Sequence, residues 1–261
     1  MIENHLRKIR ILTCYIQYTY NNKSLKGVLP MQAFIIAMFG IFLMIFILMP
    51  CYLSLKRRGR NKKLSLFVKG ATTFVAVILS YWGYWKAMTS QITYHLPSSF
   101  FSRSVLIGLT ICLFADVLLG IQVYIGGILF FLGHIAYIVY FIELGGFPII
   151  CIPMISIFTG IALCYFYRFS VRLGKEKYFY FLYGLTIFTT LSLGLTLPVT
   201  IGIWGFPIAL ASVLIVVSDV LLARNTLYKE TSLSDTVALL YYFSGQLLLA
   251  LTIYLSSHYA F

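Results

Sequence analysis

The sequence predicts an all-α, polytopic membrane protein of about eight transmembrane helices, on three observations. Hydrophobic residues make up 61% of the 261 and charged residues only 10%, whereas soluble domains carry about 25% charge. Mean hydropathy is +0.92. The apolar residues fall in runs near the roughly 20-residue length that a spanning helix needs, and the runs are continuous where the strands of a membrane β-barrel would alternate.

The predicted spans cover 31–54, 64–85, 104–121, 123–142, 147–167, 178–197, 201–223 and 236–257. The first opens at Met31, after a polar N-terminal extension of residues 1–30, and ends before Lys56, Arg57, Arg58, Arg60, Lys62 and Lys63. The second ends at Lys86, and Arg103 precedes the third. The third and fourth are separated by a short connection, and Gly-Phe-Pro at 146–148 marks the start of the fifth. Arg168, Arg172, Lys175 and Lys177 separate the fifth from the sixth. A second Gly-Phe-Pro, at 205–207, lies near the start of the seventh, which Arg224 and Lys229 divide from the eighth.

The charge pattern orients these spans. The formal net charge is +13, which in a soluble chain would suggest nucleic acid. Here the bases lie between apolar runs, where they orient helices and meet anionic headgroups, so no nucleic-acid partner is expected. The base-rich loops after the first, fifth and seventh spans share one side, which the positive-inside rule makes cytoplasmic. This places Arg7, Lys8, Arg10, Lys23 and Lys26 on the opposite side; a start at Met31 would remove all five. Residues 1–30 lack the apolar core of a signal peptide. The five cysteines (Cys14, Cys51, Cys112, Cys151 and Cys164) form no CxxC pair. Neither a disulfide framework nor a zinc site is expected, and they read as small buried hydrophobes.

One pattern suggests two similar four-helix halves. The third span contains Ala115-Asp116-Val117-Leu118-Leu119 and the seventh Ser218-Asp219-Val220-Leu221-Leu222. The fourth contains Phe131-Leu132-Gly133-His134 and the eighth Phe243-Ser244-Gly245-Gln246. Spans four apart run in the same direction, so a parallel duplication of a four-helix unit would explain both matches.

Only seven acids exist, and Asp116 and Asp219 lie within apolar spans. A charged group at the centre of a span costs about 2.5–3.5 kcal/mol on insertion scales, and such groups usually face an interior cavity. Both sit near the C-terminal ends of spans running toward the basic side, at similar depth. A protonated acid beside an ionised one is the arrangement of general acid–base catalysis. Lys69, in the first turns of the second span, is placed to pair with an Asp or to hold a phosphate. His134 and Tyr137 share one face of the fourth span, and Tyr242 and Gln246 share one face of the eighth. Tyr183 lies one to two turns into the sixth. No GxSxG elbow, HExxH pair or P-loop occurs. What remains is two acids and no evident protein nucleophile, which fits water as the nucleophile and proton transfer as the catalysis.

These residues resemble the YhhN family of lysoplasmalogenases over about 31–257. The resemblance rests on Lys69, Asp116-Val117-Leu118-Leu119 and Gly127-x-x-x-x-x-Gly133-His134-x-x-Tyr137. Ser218-Asp219-x-Leu221-Leu222-Ala223 and Tyr241-Tyr242-x-x-x-Gln246 extend it. Ala115 stands where the family usually shows Gly, and Gly70 where it usually shows Pro. The resemblance implies hydrolysis of the vinyl (1-alkenyl) ether bond of lysoplasmalogens, giving a fatty aldehyde and glycerophosphoethanolamine or glycerophosphocholine. It implies Asp116 and Asp219 as the catalytic pair, with Lys69, His134, Tyr137, Tyr183, Ser218, Tyr242 and Gln246 shaping the substrate site. No metal or organic cofactor and no obligate protein partner are implied; the partners are a lysophospholipid and the surrounding membrane lipids. The membrane would be the inner membrane in a bacterium and otherwise the endoplasmic reticulum or another internal membrane. The residues alone also leave open a transporter or channel with Asp116 and Asp219 as proton or cation relay sites.

Overall fold

The computed structural model describes residues 31–58, 61–89, 103–167, 177–228 and 232–256. The extension 1–30, with the expected start at Met31, lies outside the described residues. α1 (Met31–Phe42) runs through a π-helical stretch (Leu43–Leu48) into α2 (Met49–Arg58). Then follow α3 (Lys62–Thr89), α4 (Arg103–Leu119), α5 (Val123–Gly145), α6 (Cys151–Tyr167) and α7 (Lys177–Ile201). A 3-10 turn (Gly202–Trp204) leads to α8 (Gly205–Tyr228), and α9 (Ser232–Ser256) completes the order. No strand occurs among the described residues.

Local sequence sets several of these boundaries. Pro50 can give no N–H to the helix and its ring crowds the carbonyl four residues back; the widened π turn ends just before it. Asn61 caps α3, its Oδ1 accepting the Leu64 N–H at 3.1 Å, which satisfies one of the orphan amides of a helix start. α5 stops at Gly146, where φ is +72° and the N–H returns to the Ile142 carbonyl at 2.8 Å. That left-handed conformation suits glycine at a helix end.

Length refines the expected count of spans. Five runs of described residues are long and apolar enough to cross a membrane: Ile35–Lys56, Lys62–Met88, Val123–Gly145, Lys177–Asn225 and Ser234–Tyr254. The fourth, 49 residues long, holds both α7 and α8. The predicted spans 104–121 and 147–167 correspond to α4 and α6, of 17 residues each. Both fall short of the usual spanning length, so eight full spans is more than these lengths support. The outward faces are apolar, with Phe39, Phe67, Ile149 and Val199 all exposed. Lipid, not water, is the solvent that such faces suit.

Six helices close a ring. α3 packs on α4, α4 on α5, α5 on α7, α7 on α8, α8 on α9, and α9 returns to α3. α1 and α2 lie outside against α3 and α9, and α6 lies outside against α7. The pattern is the same for the chain's two halves: each contributes one outer helix and three ring helices, and the third helix of the ring trio in each half touches the first of the other. The register agrees as well. A Cβ on Gly133 would lie 2.7 Å from the Cys112 sulfur, and one on Gly245 would lie 2.7 Å from Ile215 Cγ1. Cys112 and Ile215 each stand four residues before the Asp of their half. Small residues at such crossings let backbones approach closely. α3 and α7 match too: Gly70, Thr72 and Phe74 recur in the same spacing as Gly184, Thr186 and Phe188.

Candidate active site

The two carboxylates sit inside the ring near its basic end, on corresponding turns of α4 and α8. Asp116 is 1% exposed and Asp219 5%. Each has a neighbour from its own half and another from the other half, because each half supplies three consecutive helices and the two trios close on each other around the centre.

Asp116 is surrounded by donors. Lys69 Nζ lies 3.1 Å from its Oδ1 and also donates to its backbone carbonyl at 3.2 Å. The Thr73 hydroxyl donates to Oδ2, as does the Tyr242 hydroxyl at 2.9 Å. An ionised carboxylate only accepts hydrogen bonds, so this setting suits the anion. Lys69 is itself buried; the sequence left it between a phosphate and an Asp, and the structure gives it to the Asp.

Asp219 has a different partner set. His134 Nε2 lies 2.8 Å from its Oδ2, and His134 Nδ1 lies 3.3 Å from the Thr190 hydroxyl. Tyr183 lines the same cavity as Asp219, and its ring meets the His134 imidazole edge-on at 5.9 Å. This carboxylate shares its environment with an imidazole, a group able to accept, hold or return a proton.

Behind these lie Tyr137 and Gln246, both buried. Tyr137 donates to Gln246 Oε1 at 2.6 Å, and its hydroxyl also lies 3.7 Å from the Cys112 sulfur. Neither lines a described cavity, nor does His134; they stand behind the carboxylates. Of the cysteines, Cys112 and Cys151 are buried as expected, but Cys51 and Cys164 are exposed. In a lipid-facing wall a thiol needs no burial among protein atoms.

Two cavities meet at Asp219. One, of about 220 Å³, is lined by Lys69, Asp116, Ser218, Asp219 and Tyr242, and its mouth carries Lys56 and Asp235. The other, of about 560 Å³, runs between α6, α7 and α8, with Leu163, Tyr178, Phe181, Gly184 and Phe188 among its walls. Asp219 belongs to both. Sequence reasoning missed Thr73, Thr190, Lys56 and Asp235. The hydroxyls look like ordinary helix threonines, and the charged pair looks like loop-flanking charge.

Fold and site together define a polytopic helical membrane protein with two buried carboxylates at the seam of two similar halves. The chain belongs to the YhhN family, whose model matches residues 64–253, in agreement with the resemblance drawn from its motifs. No curated protein and no solved structure matches it.

Proposed function

We propose that the chain is a membrane hydrolase that cleaves the vinyl ether of a lysoplasmalogen by paired-carboxylate chemistry. Family membership is consistent with that reaction. The observation that carries the reading is the position of Asp219, on the wall of a polar cavity and of an apolar one. A vinyl ether joins a hydrocarbon chain to a polar glycerophosphate, so its reacting atoms belong at such a junction.

In this reading Asp219, coupled to His134, donates a proton to the second carbon of the alkenyl chain. The first carbon becomes an oxocarbenium ion, which the Asp116 anion stabilises through the cavity. Water attacks that carbon and Asp116 accepts its proton, as carboxylate pairs do in glycosidases. The hemiacetal then gives its hydroxyl proton to Asp219 while Asp116 returns its proton to the departing glycerol oxygen, so both carboxylates end as they began. The products are a fatty aldehyde and the glycerophospho-base. Lys69 and Thr73 hold Asp116 ionised and oriented, while Thr190 orients His134. These are positioning residues. The apolar cavity would take the alkenyl chain, and the basic end of the ring would face the cytoplasm.

The test is aldehyde release by the purified, detergent-solubilised chain given 1-alkenyl, 1-acyl and 1-alkyl lysophospholipids in parallel. Aldehyde from the alkenyl lipid alone, lost in folded Asp116→Asn and Asp219→Asn variants, supports the reading. Cleavage of the acyl lipid would reassign it to an esterase. Absence of any cleavage by folded wild-type protein would sink it and favour a transporter.

A further inference from the structure

We infer that the ion pair at the mouth of the polar cavity, Lys56 with Asp235, is a docking site for a zwitterionic phosphate–ammonium headgroup. The inference rests on the lysolipid reading above and assigns that substrate's polar end.

The cavity holds two lysines, and their situations differ. Lys69 lies at the bottom, its side chain 8% exposed, with its ammonium engaged by the Asp116 carboxylate and carbonyl. It is committed to that carboxylate and buried away from the entrance. Lys56 lies at the mouth, 44% exposed, and its Nζ is 2.8 Å from Asp235 Oδ2, whose side chain is 32% exposed. Both residues line the same cavity as Asp116 and Asp219. They come from opposite halves of the chain, Lys56 from α2 and Asp235 from the first turn of α9.

Asp235 is set in place independently of Lys56. Its other oxygen accepts from Asn225 Nδ2 at 3.0 Å, and Asn225 Oδ1 accepts the Ser234 hydroxyl at 2.6 Å. The carboxylate therefore keeps its position if the lysine swings away. An exposed ion pair contributes little to stability, so opening it costs little. A headgroup carrying one phosphate and one ammonium then replaces each half of the pair with its like: the phosphate takes Lys56 and the ammonium takes Asp235. A lone phosphate satisfies only the lysine and leaves the carboxylate facing a like charge. The arrangement thus selects phosphoethanolamine and phosphocholine over a phosphate monoester, with the glycerol below it toward Asp116 and Asp219.

The experiment measures equilibrium binding of 1-alkyl lysophospholipids, which lack the vinyl bond, to the detergent-solubilised full chain by isothermal titration. Four lipids are compared: phosphoethanolamine, phosphocholine, phosphate monoester, and alkylglycerol without phosphate. Wild-type protein binds the first two best. Asp235→Asn weakens those two about tenfold, the loss of one close charge–charge contact, which for phosphoethanolamine is also a charge-assisted hydrogen bond, and leaves the phosphate monoester unchanged or tighter. Lys56→Gln weakens all three phosphate lipids and leaves alkylglycerol unchanged. Equal weakening of all four lipids by both variants would show that the pair only ties α2 to α9, and would overturn the inference. So would wild-type binding that ignores the headgroup, and either result leaves the hydrolase reading standing. Folded wild-type protein that neither binds any of these lipids nor cleaves the alkenyl substrate would overturn both.

Discussion

His134 Nε2 and Asp219 Oδ2 lie 2.8 Å apart, on helices of opposite halves and 85 residues apart in the chain. Nothing else in the ring gives a carboxylate an imidazole partner among the described residues, and the contact separates the chemistry of Asp219 from that of Asp116. One carboxylate is held by a lysine, the other by an imidazole, whose ring nitrogens can both give and take a hydrogen bond. Within the proposed mechanism this makes Asp219 the proton donor and Asp116 the resident anion.

His134→Gln keeps the size and a hydrogen-bonding group but removes the titratable imidazole. If the proton passes through this pair, kcat for aldehyde release falls by about 10²–10⁴, the usual worth of positioned acid–base catalysis. The melting temperature changes little. Steady-state kinetics beside a thermal melt checks both halves of this expectation, and unchanged kcat would remove His134 from the mechanism.

Lys69→Met strips the buried Asp116 of its counter-ion. Breaking one side of a buried pair costs roughly 3–5 kcal/mol, so the melting temperature of the solubilised protein drops sharply. Adding Asp116→Asn removes the orphaned charge and restores much of the stability without restoring activity. A double variant no more stable than Lys69→Met would show that the ion pair is not what holds this region.

Gly133 and Gly245 are tested by alanine. In each case the new Cβ has a neighbour at 2.7 Å, Cys112 Sγ or Ile215 Cγ1, and overpacking typically costs about 1–3 kcal/mol. Gly160→Ala is the control, because its Cβ would meet nothing within 4 Å. Thermal melts of the three variants should show two losses and one neutral change.

Gly184 tests the apolar cavity. It lines the cavity wall, and a Cβ there meets nothing within 4 Å, so Gly184→Leu projects into open space rather than into a neighbour. The expected result is a fold left intact and a kcat/KM that falls for long alkenyl chains more than for short ones. Equal loss for all chain lengths would mean that the chain lies elsewhere.

The helices were legible because a membrane demands long apolar runs, and the runs can be measured with a ruler. Their ends were less so: Asn61 and Gly146 signal by hydrogen bond and backbone angle, which hydropathy does not weigh. Asp116 and Asp219 stood out because a carboxylate in an apolar run is costly. Which partner each would take was not legible, since it depends on the order of helices around the ring, and Lys69 was accordingly left between two roles. Thr73 and Thr190 were invisible for a further reason. Thr72, Thr186 and Thr190 all bond a carbonyl of their own helix at 2.8–3.0 Å, so a helical threonine carries no mark of its second task. The likeness of Gly70-x-Thr72-x-Phe74 to Gly184-x-Thr186-x-Phe188 was present in the letters, but three identities in apolar sequence are easily passed over.

The likeness of the two halves has a consequence for why the chain has one site rather than two. In a ring built from two identical subunits, each Asp would meet the same neighbours, and any change at one would be copied at the other. A single polypeptide carrying both halves lets corresponding positions differ. Lys69 in one half corresponds to Tyr183 in the other, and His134 to Gln246. The two carboxylates can therefore divide the labour in a way that no homodimer could encode.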